Sequence, residues 1–267
     1  MTLRISLLGP AEIRRDDQVL DLPGYRPLAL LAYLLITGKP QSRKHLVNLL
    51  FDRPDDPRAS LRWTLLQIRK TIGREAIVAD RQEIAFNFQS DYWLDVSAFE
   101  AGDLDQYHGE LLEGLDLRDA HEFDAWLLVE RERLRAQYQA GLERRLNKLQ
   151  ETKDAEAIEG TALQLLQLDN LREDWHQVLM TAYASQGKFE AAQAQYDLCC
   201  QILREELARD PASETVALAE AIEQQKAELY RVVAANPRLL SRPLNPQGRR
   251  QRSHQRLSQT KPLRLNR

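Results

Sequence analysis

The chain has 267 residues, a formal net charge of −3, 43% hydrophobic and 29% charged residues. That is long enough for two domains and has the composition of a globular protein. The charge is uneven: residues 1–90 carry +4, residues 91–235 carry −16 and residues 236–267 carry +9. The longest apolar run, Leu28 to Ile36, is too short to span a bilayer, and the start lacks a signal-peptide layout. Cys199 and Cys200 are adjacent and lack metal-ligand spacing. A reducing cytoplasmic setting without a membrane is expected.

Leu3 to Gly9 alternates apolar and polar residues, then Gly9-Pro10 turns the chain, so a strand opens the fold. Ala11 to Arg15 and Val19 to Leu22 read as two more short strands around Asp16-Asp17-Gln18, and Pro23-Gly24 ends the sheet. Arg26 to Thr37 is apolar over helical length and stops at Gly38-Lys39-Pro40. Ser42 caps a second helix, Arg43 to Phe51, with Leu46, Val47, Leu49 and Leu50 inward. After Arg53-Pro54-Asp55 a third helix runs from Asp56 to Gly73, with Asp56 as cap, Pro57 at its first position and Gly73 as its stop. At about 100° per residue, Leu61, Leu65, Ile68 and Ile72 form one apolar stripe. Ser60, Trp63, Gln67 and Lys70 lie opposite it, with Arg62 and Arg69 on a flank. Ala76 to Ala79 and Glu83 to Phe88 form a hairpin around Asp80-Arg81-Gln82, with an arginine at its tip.

Sheet, three helices and hairpin, in that order, make a winged helix-turn-helix with an N-terminal sheet. In such a unit the third helix enters the major groove and the start of the second touches the backbone. Ser42, Arg43 and Lys44 stand where free N–H groups favour an anion. Arg58, Arg62, Gln67, Arg69 and Lys70 on the third helix are candidates for base edges or phosphates, with Arg suited to guanine and Gln to adenine. Arg81 would approach a minor groove or a phosphate. Trp63 has two open readings: a contact to sugar or thymine methyl, or packing against the wing or the second domain.

Tyr92 to Phe99 reads as a joint closing the first domain, with Asp95 or Ser97 starting a helix, and Gly109 to Gly114 as a linker-like segment. From Glu122 the chain is nearly all helix: a long one over Phe123 to Gln150, and one over Pro211 to Gln225 that closes the array. At an offset of about 34 residues, Leu149 pairs with Tyr183, Ala155 with Phe189, Ile158 with Ala192 and Ala162 with Tyr196. Lys153-Asp154 and Gly187-Lys188 fall at equivalent turns. Paired helices at this period are the tetratricopeptide signature, and such arrays bind proteins or position another domain. The expected fold is therefore mainly α: a winged helix-turn-helix of mixed α and β over 1–92, an all-α tetratricopeptide-like domain over 93–232, and a basic tail over 233–267 read as disordered.

The two halves together resemble the bacterial transcriptional activators of the antibiotic-regulatory (SARP) type. These join an OmpR/PhoB-type winged helix to a bacterial transcriptional activation domain. The resemblance rests on Leu3 to Gly9, Ala29 to Leu34, Ala59 to Leu65 with Ile68-Arg69, Trp93 to Glu100, Gly109 to Gly114, Trp126 with Glu130 to Leu134, and Asp169 to His176. It runs over roughly residues 3–222 in unbroken order. It implies sequence-specific binding to promoter repeats by side-by-side protomers, and recruitment of RNA polymerase. Two positions depart from the pattern: Trp63 replaces smaller polar residues, so base preference does not transfer, and Asn170 stands where Pro is common. The phosphate-binding loop of larger members is absent, as is a receiver domain.

No cofactor, metal or catalytic site is expected. His45, His108, His121, His176 and His254 show no zinc spacing, and no Ser or Cys has a triad context. Cys199 is expected to pack between helices, and an exposed Cys200 would be open to oxidation. Two functions stand side by side. One is a DNA-binding activator that contacts RNA polymerase and pairs on promoter DNA. The other is a protein–protein adaptor with a structural winged helix, a reading that gains if Arg43, Lys44 and Arg62 are buried in the domain interface.

Overall fold

The structure, a computed structural model, describes residues 2–16, 18–51 and 56–235. The expected tail from 236 onward and the Arg53-Pro54-Asp55 turn lie outside the described residues. The chain divides into two compact units, Met1–Asn170 and Leu171–Arg267.

The first unit opens with β1 (Leu3–Ser6), β2 (Glu12–Arg15) and β3 (Gln18–Val19), paired antiparallel in that order. β3 is shorter than the expected Val19 to Leu22. Helices α1 (Tyr25–Thr37), α2 (Arg43–Leu50) and α3 (Pro57–Ile72) follow. A short strand, β4 (Gln41–Ser42), leads into α2, and a 3-10 turn, Arg74–Ala76, leads into β5 (Ile77–Ala79) and β6 (Glu83–Phe86). β4, β6 and β5 form the three-stranded wing sheet.

The segment expected as a joint is itself a strand. β7 (Tyr92–Leu94) runs parallel to β1, with Leu3, Arg4 and Ile5 opposite Tyr92, Trp93 and Leu94, and completes the four-stranded sheet. The cause lies just beyond it, at the start of α4 (Asp95–Glu100). The buried Asp95 carboxylate accepts the N–H groups of Leu7 (2.7 Å), Leu8 (2.8 Å) and Val96 (2.7 Å). It thus satisfies donors that β1 leaves unpaired where it ends.

The expected linker Gly109 to Gly114 is also part of the fold. Gly9 N–H donates to Glu110, Leu112 N–H to Leu7 and Glu113 N–H to Gly9, while Leu111 and Leu112 are fully buried. Arg131, on α5 (His121–Thr152), donates to the carbonyls of Leu111 and Leu112. α5 also packs against α2, and its Trp126 ring meets Tyr33 of α1 edge-on at 4.8 Å. The head and the long helix therefore share one core. α6 (Ala155–Leu168) pairs with α5.

The second unit holds α7 (Glu173–Ser185), α8 (Phe189–Leu207) and α9 (Ser213–Ala235). α9 extends ten residues past Gln225, through 233–235, where the tail was expected to begin. Phe189, Ala192, Met180, Ala184, Ala219 and Ile222 make its core. Ala192 lets α8 approach its neighbours closely. The two turns equated by the internal repeat share a backbone state: Lys153 and Gly187 are both left-handed, at φ 56° and 75°. Cys200 is buried, as is Cys199, so the thiol expected to be exposed is shielded.

Candidate nucleic-acid interface

α3 is held by the stripe the sequence marks. Leu61, Leu65, Ile68 and Ile72 are buried, joined by Thr64, whose hydroxyl is satisfied by the Ser60 carbonyl at 2.9 Å. Asp56 caps the helix by accepting Ala59 N–H at 2.9 Å. The outward surface then divides into two faces.

One face is cationic. Arg43, Lys44, Val47 and Asn48 of α2, Arg58, Leu61 and Arg62 of α3, and Arg81 at the wing tip line one groove. A second groove shares Arg43 and Arg62 and adds Leu65, Leu66, Arg69, Lys70 and Arg74. Eight cations from α2, α3, the turn after α3 and the wing tip thus converge, and among the described residues no carboxylate lines either groove. Lys44, Arg58, Arg62, Lys70, Arg74 and Arg81 are exposed. Arg62 faces Asp56 at 3.8 Å, both well exposed, a pair that holds it only weakly.

Two members of the cluster are anchored. Arg43 donates through Nε to the Asp80 carbonyl at 2.9 Å, and its backbone N–H to Gln82 at 2.9 Å. Arg69, half-buried, donates to the Ile77 carbonyl at 3.0 Å. These bonds tie α2 and α3 to the wing. At the tip, Asp80 accepts the N–H groups of Gln82 (2.7 Å) and Glu83 (2.8 Å). The Glu83 and Gln82 bonds, aided by Arg43, hold its carboxyl below the usual aspartate value. The turn is thereby fixed, with Arg81 projecting from it.

Ser42 is committed to the cap of α2, accepting His45 N–H at 3.1 Å. Val47, expected inward, is half-buried on the groove wall. Trp63 lies apart from these eight cations. It is 51% exposed and lines a different groove with Arg26, Phe51, Ala59, Ser60, Thr64 and Asp119. Gln67 is half-buried and lines neither cationic groove. Of the face expected opposite the stripe, Lys70 lines a cationic groove but Ser60, Trp63 and Gln67 do not; most of the charges gather toward the flank carrying Arg62 and Arg69. Arg74 and Leu66 were missed. Arg74 lies beyond the helix stop, outside the helical pattern; Leu66 is legible as an apolar residue off the stripe.

Among the described residues no group of three or more His, Cys, Asp or Glu side chains is placed to hold a metal, and no helix is long and apolar enough to cross a membrane.

Residues 95–223 match the bacterial transcriptional activator domain family. No curated protein matches the chain in sequence. Among solved structures, it is similar to Mycobacterium tuberculosis EmbR in complex with low affinity phosphopeptide. The TM-score is 0.55 at 22% identity, over 89% of this chain and 70% of that one. The chain thus carries a match to the bacterial transcriptional activator domain over residues 95–223, behind a winged helix-turn-helix, and shares its fold with that solved structure.

Proposed function

We propose that the chain is a sequence-specific DNA-binding transcriptional activator. α3 enters the major groove, while the start of α2, Arg74 and the wing-tip Arg81 take phosphates on either side. The helical domain contacts RNA polymerase or another protein, and two copies bind side by side on promoter repeats. One observation carries this reading: eight cations from separate elements converge on one face with no lining carboxylate among the described residues. The adaptor reading gains from burial of Arg43, Lys44 and Arg62; Lys44 and Arg62 are exposed and Arg43 is half-buried.

The test uses a duplex selected by the full chain from random sequence. Arg62→Ala is expected to weaken binding at least about tenfold, as for loss of a bidentate base contact. Trp63→Ala, on the other face, is expected to stay within about twofold, since surface changes away from a contact are worth about 0.5 kcal/mol or less. Equal loss in both variants, or loss in Trp63→Ala alone, would move the contact surface to the other side of α3.

A further inference from the structure

Leu66 stands inside the cationic face. It is 45% exposed and lines the groove with Arg43, Arg62, Arg69, Lys70 and Arg74. At about 100° per residue it projects about 40° from Arg62 and about 40° from Lys70, well off the buried stripe. It is excluded from the core, and it has no donor or acceptor with which to bond a phosphate or a base edge. In the major groove the apolar group on offer is the 5-methyl of thymine, the feature that the hydrogen-bonding code leaves to side chains such as this one.

We propose that Leu66 is a specificity-determining residue that selects thymine by packing against its 5-methyl group. The inference rests on the DNA-binding reading of the same face. Arg62 and Lys70, one turn to either side, hold the neighbouring acceptors and set the depth at which the leucine meets the base. Leucine here exchanges water for a methyl surface only when DNA is bound, so the contact belongs to recognition and not to folding.

Uracil keeps every hydrogen-bonding group of thymine and lacks only the methyl. The experiment measures the full chain on its selected duplex, with each thymine of the site replaced singly by uracil. One thymine per protomer is expected at which uracil weakens binding about fourfold, the factor that one buried methyl group supplies. Leu66→Ala is expected to keep its melting temperature and to bind thymine and uracil equally at that position. The proposal is overturned if uracil is tolerated everywhere, if the selected duplex contains no thymine, or if Leu66→Ala keeps the discrimination. A chain that selects no duplex and shows no salt-sensitive binding overturns the DNA-binding reading too, and that result is distinct from binding without discrimination.

Discussion

Glu173 shows how much one side chain can organise. Its carboxylate accepts Arg209 at 2.6 Å, the Ala212 N–H at 2.8 Å and the Thr215 hydroxyl at 2.8 Å, pinning the start of α9 to the start of α7. Desolvation pushes this carboxyl up, but the three bonds outweigh it and hold it below the usual glutamate value. A carboxyl lowered on folding adds stability that is full above its unfolded pKa, near 4.3, and is lost as pH falls through the folded value. Glu173→Gln is expected to lower urea stability by about 1–3 kcal/mol at pH 7. The deficit should shrink below about pH 4, where the wild-type carboxylate takes up its proton. A deficit independent of pH would assign the loss to packing alone. The sequence names Asp95 only as a helix start and does not single out Glu173, because the groups they hold (the N–H groups of Leu7 and Leu8 for Asp95, and Arg209, Ala212 and Thr215 for Glu173) are brought to them only by the folded chain. Burial also raises the Cys199 thiol to about 11, reinforced by Glu173 and Cys200, so it stays protonated at neutral pH.

At the scale of elements, α3 divides what was legible from what was not. Its cap, its stop and its buried stripe follow from local spacing and agree with the structure. The cationic face does not follow, since it depends on where α2 and the wing lie beside the helix. A wheel drawn on α3 alone puts Trp63, Gln67 and Lys70 opposite the core; beside α2 and the wing, Lys70 lines the cationic grooves with Arg58, Arg62 and Leu66, while Trp63 and Gln67 do not. β7 was missed for a related reason: its partner β1 is some ninety residues earlier, and three-residue strands carry little periodicity of their own. Gly73 joins helix to wing at φ 97°, ψ 149°, a conformation nearly confined to glycine. Gly73→Ala is expected to cost about 1–3 kcal/mol for that reason, read as a lower melting temperature. An unchanged melting temperature would show that the junction relaxes without strain. An added Cβ would also come within 2.2 Å of the Glu75 carboxylate, a flexible group that can move aside.

For the whole molecule, charge and connectivity set the account. The basic face lies wholly within the unit Met1–Asn170, which also contains α5 and α6, so the elements that carry it and the first long helices of the helical body share a core. A truncation that removes α5 would strip buried partners from α2 and α1; one that begins at Leu171 leaves the cationic face intact. The acidic helical body is plain from composition, and the pairing of helices at equivalent turns from the repeat of about 34 residues. That the head would be welded to the long helix was not, because the joining segments Gly109 to Gly114 and Tyr92 to Leu94 read locally as connectors. The central claim is that this face binds DNA through its phosphates. The most direct measurement is the affinity of the full chain for its selected duplex as a function of salt. The account predicts a steep linear fall of log affinity with log salt, and a slope reduced by about 2 in a Lys44→Ala, Arg81→Ala double variant, about 0.9 for each phosphate contact removed. An affinity indifferent to salt, or a slope unchanged in that variant, would contradict it.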